Sequence, residues 1–144
     1  MSAETVRDAM VPEPTTLAAD ASAQEAGRCF ADNGEVRAIF VTEEGGQLLG
    51  VVTRKTLVRG VVAAGLDPRG VALREIAEPP NFTLDASLEL DGAFRFLEEE
   101  DLERVPVVEE GGRLVGVLSR AVVQRRLAED EPPEGEPEPG SVVL

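Results

Sequence analysis

Two short stretches, GVVTRKTL and GVLSRAVV, place a hydroxyl side chain directly before one or two basic ones. These residues are Thr53, Arg54 and Lys55 in the first stretch and Ser119 and Arg120 in the second. In each stretch an apolar run typical of a strand ends at the hydroxyl, and a helical pattern follows. A base at the start of a helix is unfavourable against the helix dipole, whereas an anion is favoured there. The recurrence indicates an anion-binding role, with plain N-caps and solvated first-turn bases as the alternative.

The sequence contains no set of residues that is typical of a catalytic centre. It has no histidine, which excludes the usual acid or base at neutral pH, Ser-His and Cys-His pairs and His-based metal sites. It also has neither a GxGxxG motif nor a P-loop. The single cysteine, Cys29, is predicted to be a buried and inert thiol, and the acidic run 98–101 is predicted to be a solvated helix end. We therefore expect a protein that is not an enzyme, with no metal site.

Composition restricts the class of partner. The net charge of −14 weighs against nucleic acid and against anionic membrane surfaces, because both need clustered Lys and Arg. The apolar runs are too short to span a membrane, and the N-terminus does not have the pattern of a signal peptide. One cysteine cannot form an intrachain disulfide, so a cytoplasmic location is expected.

The hydroxyl-plus-base stretches belong to a duplicated pattern. EEGG occurs at 43–46 and again at 109–112, and DAS occurs at 20–22 and 85–87. Each unit predicts the order β-α-β-β-α, with a hairpin turn at its Gly-Gly pair. The predicted fold is therefore α/β (α+β), with two tandem repeats packed about a pseudo-twofold axis and a ligand cleft between them. We assign 1–70 to the first repeat and 71–129 to the second.

A tail at 130–144 follows the second repeat. From Glu129 to the end the chain has six acidic residues, no basic residue and four of its ten prolines. Such a composition predicts disorder. A docking function for the final Val142–Leu144 is the alternative to a solubilising tail.

The duplicated motifs resemble those of the tandem cystathionine-β-synthase (CBS) domain pair, or Bateman module. The resemblance covers residues 5 to about 129 and rests on the order and spacing of VRDAM, DAS, LLGVVTR, VPVVEEGG and RLVGVLSR. It implies a regulatory module that is not an enzyme. It also implies an adenosine nucleotide (AMP, ADP or ATP) in the cleft between the repeats, a homodimer and a regulated protein that the sequence does not name.

The resemblance implies two ligand sites, each built from both repeats. The first set is Thr16, Ala21, Val36, Arg37, Val117, Ser119, Ala121 and Val122, with Arg120 beside it. The second set is Asn81, Ala86, Leu102, Glu103, Val51, Thr53, Lys55 and Thr56, with Arg54 beside it. We favour the second set, because its hydroxyl and two bases suit a phosphate and Thr56 can still bond a ribose.

Three departures from the family pattern weaken both sites. Thr56 and Val122 stand where the family has an aspartate for the ribose hydroxyls, and losing each charge-assisted bond costs roughly 1.5–3 kcal/mol. Phe40 stands where the second repeat keeps Pro106, and its ring can fill part of a slot. Glu103 would repel an anion. The alternative hypothesis is therefore a ligand-free dimerisation module with degenerate nucleotide sites.

Overall fold

The computed structural model describes residues 4–12 and 14–129 of the chain. The predicted disorder of 130–144 lies outside the described residues. Two small sheets with helices packed on them confirm the predicted fold class, and each repeat follows the predicted order β-α-β-β-α.

The first repeat builds a three-stranded sheet. Its elements are β2 (Thr16–Ala18), α2 (Ala23–Asp32), β3 (Ile39–Thr42), β4 (Leu48–Val52) and α3 (Arg54–Leu57). β2 runs parallel to β3, which pairs antiparallel with β4. The last helix of this repeat is not one continuous α-helix, because the short α3 continues as a π-helix over Val58–Val62.

The second repeat builds the matching sheet. Its elements are β5 (Leu84–Asp85), α5 (Leu90–Glu99), β6 (Arg104–Glu109), β7 (Arg113–Ser119) and α6 (Arg120–Glu129). β5 runs parallel to β6, and β6 pairs antiparallel with β7. A fourth strand, β1 (Val11–Pro12), pairs with β7 and comes from the N-terminal end of the chain.

Local sequence signals explain where these elements begin and turn. The Ser22 hydroxyl accepts the N–H of Glu25 at 3.2 Å, which gives α2 the N-cap that a serine followed three residues later by a glutamate favours. Both Gly-Gly pairs adopt positive φ, from 81° at Gly111 and Gly112 to 96° at Gly45, as the hairpins require. The buried residues of α2 and α5 recur at helical spacing, and these faces pack on the sheet of their own repeat.

Two connecting segments cross between the repeats, and we call them the crossing arms. The first arm, 4–12, carries helix α1 (Val6–Ala9), and the second arm, 71–80, carries helix α4 (Leu73–Ile76). Val6 and Ala9 are buried in the core of the second repeat, whereas Leu73 is buried in the core of the first. Each repeat therefore completes its hydrophobic core with a helix from the segment that precedes the other repeat.

The crossing arms lie against two glycines at matched positions. A Cβ added to Gly50 would lie 2.7 Å from the carbonyl oxygen of Glu78, and one added to Gly116 would lie 2.8 Å from that of Val11. Backbone hydrogen bonds join Val51 to Glu78 in both directions, at 2.8 and 3.0 Å. No side chain larger than hydrogen fits at either crossing.

We expect Gly50→Ala and Gly116→Ala each to lower the free energy of unfolding by about 1–3 kcal/mol, because the arm must move away from the strand. Gly92→Ala in α5 is the matched control: its Cβ would meet no atom within 4 Å. That control should raise stability by about 0.5–1 kcal/mol, because alanine favours a helix. Urea unfolding of the three variants measures the differences. Equal effects in all three would contradict the close approach.

Candidate functional site

A cleft of about 710 Å³ lies between the two sheets and the crossing arms. Its size falls in the range of small-molecule sites, roughly 300–1,000 Å³. The walls are mainly apolar and come from both repeats and both arms. Its apolar lining residues are Val11, Pro14, Val36, Ala38, Phe40, Val51, Pro79, Pro80, Phe82, Leu102, Val105, Pro106, Val117 and Val122.

The structure brings together eight of the eighteen residues predicted for ligand contact. Five of them belong to the first predicted set and three to the second. They are Val36, Arg37, Val117, Ser119 and Val122, and then Val51, Asn81 and Leu102. The other predicted residues are absent from the cleft lining: Thr16, Ala21, Thr53, Arg54, Lys55, Thr56, Ala86, Glu103, Arg120 and Ala121. The geometry therefore favours the first set, whereas the sequence favoured the second.

The Thr53 hydroxyl is already hydrogen-bonded, because Thr53 is the N-cap of α3. Its hydroxyl oxygen accepts the N–H of Thr56 at 3.3 Å, and the Thr56 hydroxyl accepts the N–H of Thr53 at 3.0 Å. The two hydroxyl oxygens are also 3.1 Å apart. Thr56 is only 4% exposed. This reciprocal box uses the hydroxyls that the sequence assigned to phosphate and ribose.

Arg54 turns away from the cleft toward the end of α2. Its guanidinium donates to the carbonyl oxygens of Val36, at 2.8 Å, and Phe30, at 3.2 Å. It also lies 4.7 Å from the centre of the Phe30 ring. Arg54 thus binds the helix end and the loop before β3. Lys55, the next base, is exposed and outside the cleft lining.

Arg120 has the same structural role in the second repeat. Its guanidinium donates to Glu103 at 2.5 Å and to Asp101 at 3.4 Å. The hydrogen bond to the Glu103 carboxylate raises the pKa of Arg120 above its usual value. Glu103 is therefore held outside the cleft, which removes the repulsion that the sequence predicted at the second site.

Ser119 caps α6 without the second hydroxyl that lies beside Thr53. Its oxygen accepts the N–H of Val122 at 3.4 Å, and the Val122 side chain carries no hydroxyl to close a box. In the part of the chain that the structure describes, the Ser119 proton has no acceptor. Ser119 can therefore donate to a ligand in the cleft.

Two arginines line the cleft with no partner. Within residues 4–12 and 14–129, the guanidinium group of neither Arg37 nor Arg104 has a hydrogen bond or an ion pair. Arg104 pairs directly with Ser119 across β6 and β7, so the two side chains share one face of the sheet. Sequence reasoning identified Arg37 and missed Arg104. The sequence signal that could have found Arg104 is a base at the start of a predicted strand, opposite the hydroxyl that ends the next strand.

Four more polar residues complete the cleft lining: Thr15, Asn33, Glu35 and Glu78. Their two carboxylates balance the two arginines, so the cleft wall is close to neutral in a chain of net charge −14. An anion is therefore repelled less here than by the acidic surface as a whole. Among the described residues no group of three or more Cys, Asp and Glu side chains could hold a metal ion. No helix within these ranges has the length and apolar character needed to cross a membrane.

Comparison with known proteins places the chain in a family. The CBS domain model matches twice, at residues 6–63 and 73–129. The chain is 32% identical over 95 residues to Hypoxic response protein 1 of Mycobacterium tuberculosis, and 25% identical over 113 residues to an uncharacterised protein of Methanopyrus kandleri. Those matches cover 66% and 78% of this chain, and 66% and 55% of the two relatives. The chain thus spans between half and two thirds of their length.

Solved structures agree with the sequence comparison. Hypoxic Response Protein I, crystallised with two coordinated zinc ions, superposes with a TM-score of 0.72 and 28% identity, covering 88% of this chain and 99% of that one. CBSX2, crystallised in complex with AMP, superposes with a TM-score of 0.68 and 24% identity, covering 88% and 97%. The chain belongs to the CBS domain family and carries two tandem copies of the domain.

Proposed function

We propose that this CBS pair is a regulatory module that binds an adenosine nucleotide, or a related anionic ligand, in the cleft between its repeats. The observation that carries the proposal is an open apolar cleft of about 710 Å³ into which two arginines without partners face. Binding would be passed to an unidentified regulated protein through the geometry of a homodimer. The single cysteine, half-buried beside the first core, suits a reducing compartment, so the proposal includes the cytoplasm.

The lining of the cleft matches the chemistry of a nucleotide. Adenine needs an apolar slot, which the valines and prolines of both repeats supply. Sugar hydroxyls need acceptors, and Glu35 and Glu78 offer carboxylates at the cleft wall. Phosphoryl oxygens need charged donors, which Arg37 and Arg104 provide. The fold of CBSX2, crystallised with AMP, supports the same class of ligand.

The competing hypothesis of a ligand-free module depends on a plugged cleft. Phe40 is the residue that was expected to fill it, and its ring is 8% exposed. The cleft nevertheless remains open beside that ring, with space for a ligand. The geometry therefore supports ligand binding over the ligand-free alternative.

Isothermal titration calorimetry with AMP, ADP, ATP, S-adenosylmethionine and adenosine tests the proposal. We expect at least one of the anionic nucleotides to bind and to raise the thermal unfolding midpoint, because a ligand that binds only the folded state stabilises it. GTP serves as the control for adenine selectivity. The absence of any response to all ligands at millimolar concentration would refute the proposed function.

Two matched variants test where the ribose lies. Val122 lines the cleft, so Val122→Asp places there a carboxylate that accepts from both ribose hydroxyls and should tighten adenosine binding about tenfold. Thr56 holds the equivalent position in the first repeat but is buried away from the cleft. Thr56→Asp should therefore leave adenosine affinity unchanged. The reverse result would place the ligand in the second predicted set.

The homodimer in the proposal has a candidate surface on the first repeat. A second groove, of about 400 Å³, runs between α2 and the π-helix, and Val62 and Leu66 are exposed along it. Arg28 is the single charged residue of its lining, and no acidic residue lines it. Two copies of a chain with net charge −14 repel each other least where neither presents acidic residues, so we propose that a second copy covers this groove.

Light scattering coupled to size-exclusion chromatography checks the dimer. The native chain should elute as a dimer, and Val62→Glu should give a monomer because it buries a charge at the interface. Val62 is 71% exposed, so the substitution should not harm the fold. Leu88→Glu is the control: Leu88 is exposed outside the groove, and its variant should remain a dimer. A monomeric native chain, or a dimeric Val62→Glu variant, would contradict the assignment.

A further inference from the structure

The second crossing arm reaches both the ligand cleft and the second groove. Glu78, Pro79 and Pro80, at the end of this arm, line the cleft. Val71 and Ile76 of the same arm belong to a small apolar cluster, which we call the link cluster. The other members of the link cluster are Ala23, Leu57 and Val61, and all three also line the groove. The shape of the groove therefore depends on where this arm lies.

The arm lies against the π-helix at a glycine. A Cβ added to Gly60 would be 2.9 Å from Cγ2 of Ile76. Aligning VRDAM with LREIA puts Ala9 at the position of Ile76, and aligning GVVTR with GVLSR puts Arg126 at that of Gly60. The first arm packs on α5, α6 and β7 of the second repeat, whereas the groove lining comes from 23–68. The contact is thus particular to the second arm.

The π-helix can adopt two hydrogen-bond registers. The Ala63 N–H donates to the Val58 carbonyl at 2.7 Å, and the Val58 N–H is shared between the carbonyls of Arg54 and Lys55. Return of the π turn to the α register would rotate the residues after it by about 100° relative to those before it. Leu66, exposed along the groove, follows that turn. The register therefore sets the apolar surface of the groove.

We propose that the second crossing arm transmits occupancy of the cleft to the groove, through Ile76 and the π-helix, and that the first arm does not. The inference rests on the proposed function and names the element that regulates dimer association. A ligand beside Glu78 and Pro79 stabilises the arm where it meets Gly60. That position favours the π register and the groove it forms. Ligand binding and association of a second copy then strengthen each other by the same factor.

Sedimentation equilibrium with AMP, ADP, ATP and S-adenosylmethionine as probes tests the coupling. In the native chain, a probe that binds should lower the dimer dissociation constant about 5- to 150-fold, the usual range of coupling between sites. Ile76→Ala removes the Cγ2 atom that meets Gly60. Because Ile76 lines neither the cleft nor the groove, this variant should still bind the probe and dimerise. The probe should no longer change its dimer dissociation constant.

Three further variants separate the contact from general loss of packing. Ile76→Val keeps Cβ and Cγ2 and should retain the coupling. Met10→Ala truncates a half-buried side chain of the first arm by as many non-hydrogen atoms as Ile76→Ala and should also retain it. Gly60→Ala disrupts the same contact from the π-helix, so it should lose the coupling and serves as the test if Ile76→Ala does not fold.

Hydrogen exchange measures the transmission without a dimer. At chain concentrations below the dimer dissociation constant, a bound probe should slow exchange of the Ala63 and Leu66 amides, which donate at 2.7 and 3.0 Å across the π turns. This protection should be absent in Ile76→Ala and present in Ile76→Val.

The outcomes separate this inference from the function on which it rests. If none of the four probes binds the native chain, the proposed function itself is refuted. A probe that binds without changing dimerisation or exchange at the groove would overturn the coupling and leave ligand binding intact. Coupling that persists in Ile76→Ala and Gly60→Ala, or that is lost equally in Met10→Ala, would overturn the role of the second arm.

Discussion

The rest of this structure depends on the close contact between each crossing arm and a glycine in the strand that the arm crosses. At Gly50 and Gly116 a backbone carbonyl lies so near the strand that a Cβ would be within 2.8 Å of it. This contact lets α1 complete the second core and α4 complete the first. Neither repeat has a full core without the other, so the two fold as one unit. The arms also form the walls of the cleft, which therefore depends on the same contacts.

The two repeats keep matching residues where those residues maintain the fold. They differ at the positions that face the cleft. Arg54 and Arg120 sit at matched positions, and both bind the loop that leads from helix to strand, although the acceptors are carbonyls in one repeat and carboxylates in the other. The two arginines of the repeated motif, Arg54 and Arg120, thus make structural contacts. The bases that face the cleft, Arg37 and Arg104, have no counterpart in the other repeat. Loss of symmetry therefore marks the candidate site better than the repeated motif does.

The sequence predicted the local structure well because periodicity and Gly-Gly turns act over a few residues. The exchange of the arms was not predictable in this way. The pairing of Val11 with Val117 joins segments more than a hundred residues apart, and no local pattern encodes that register. Fewer than half of the residues predicted for ligand contact line the cleft, for the same reason. Backbone positions followed from the motif, but the direction of a long side chain such as Arg54 depends on a carbonyl that only the folded helix end presents.

The arms give a physical route from cleft occupancy to the rest of the chain. Val11 of the first arm lines the cleft, as do Glu78 and Pro79 of the second arm. Val11 is 52% exposed although it pairs with the strand that carries Ser119. A ligand that covers Val11 would add to the burial that holds the first arm against the second repeat. Because α1 lies within that arm, the free energy of ligand binding would also stabilise the exchange of helices between the repeats.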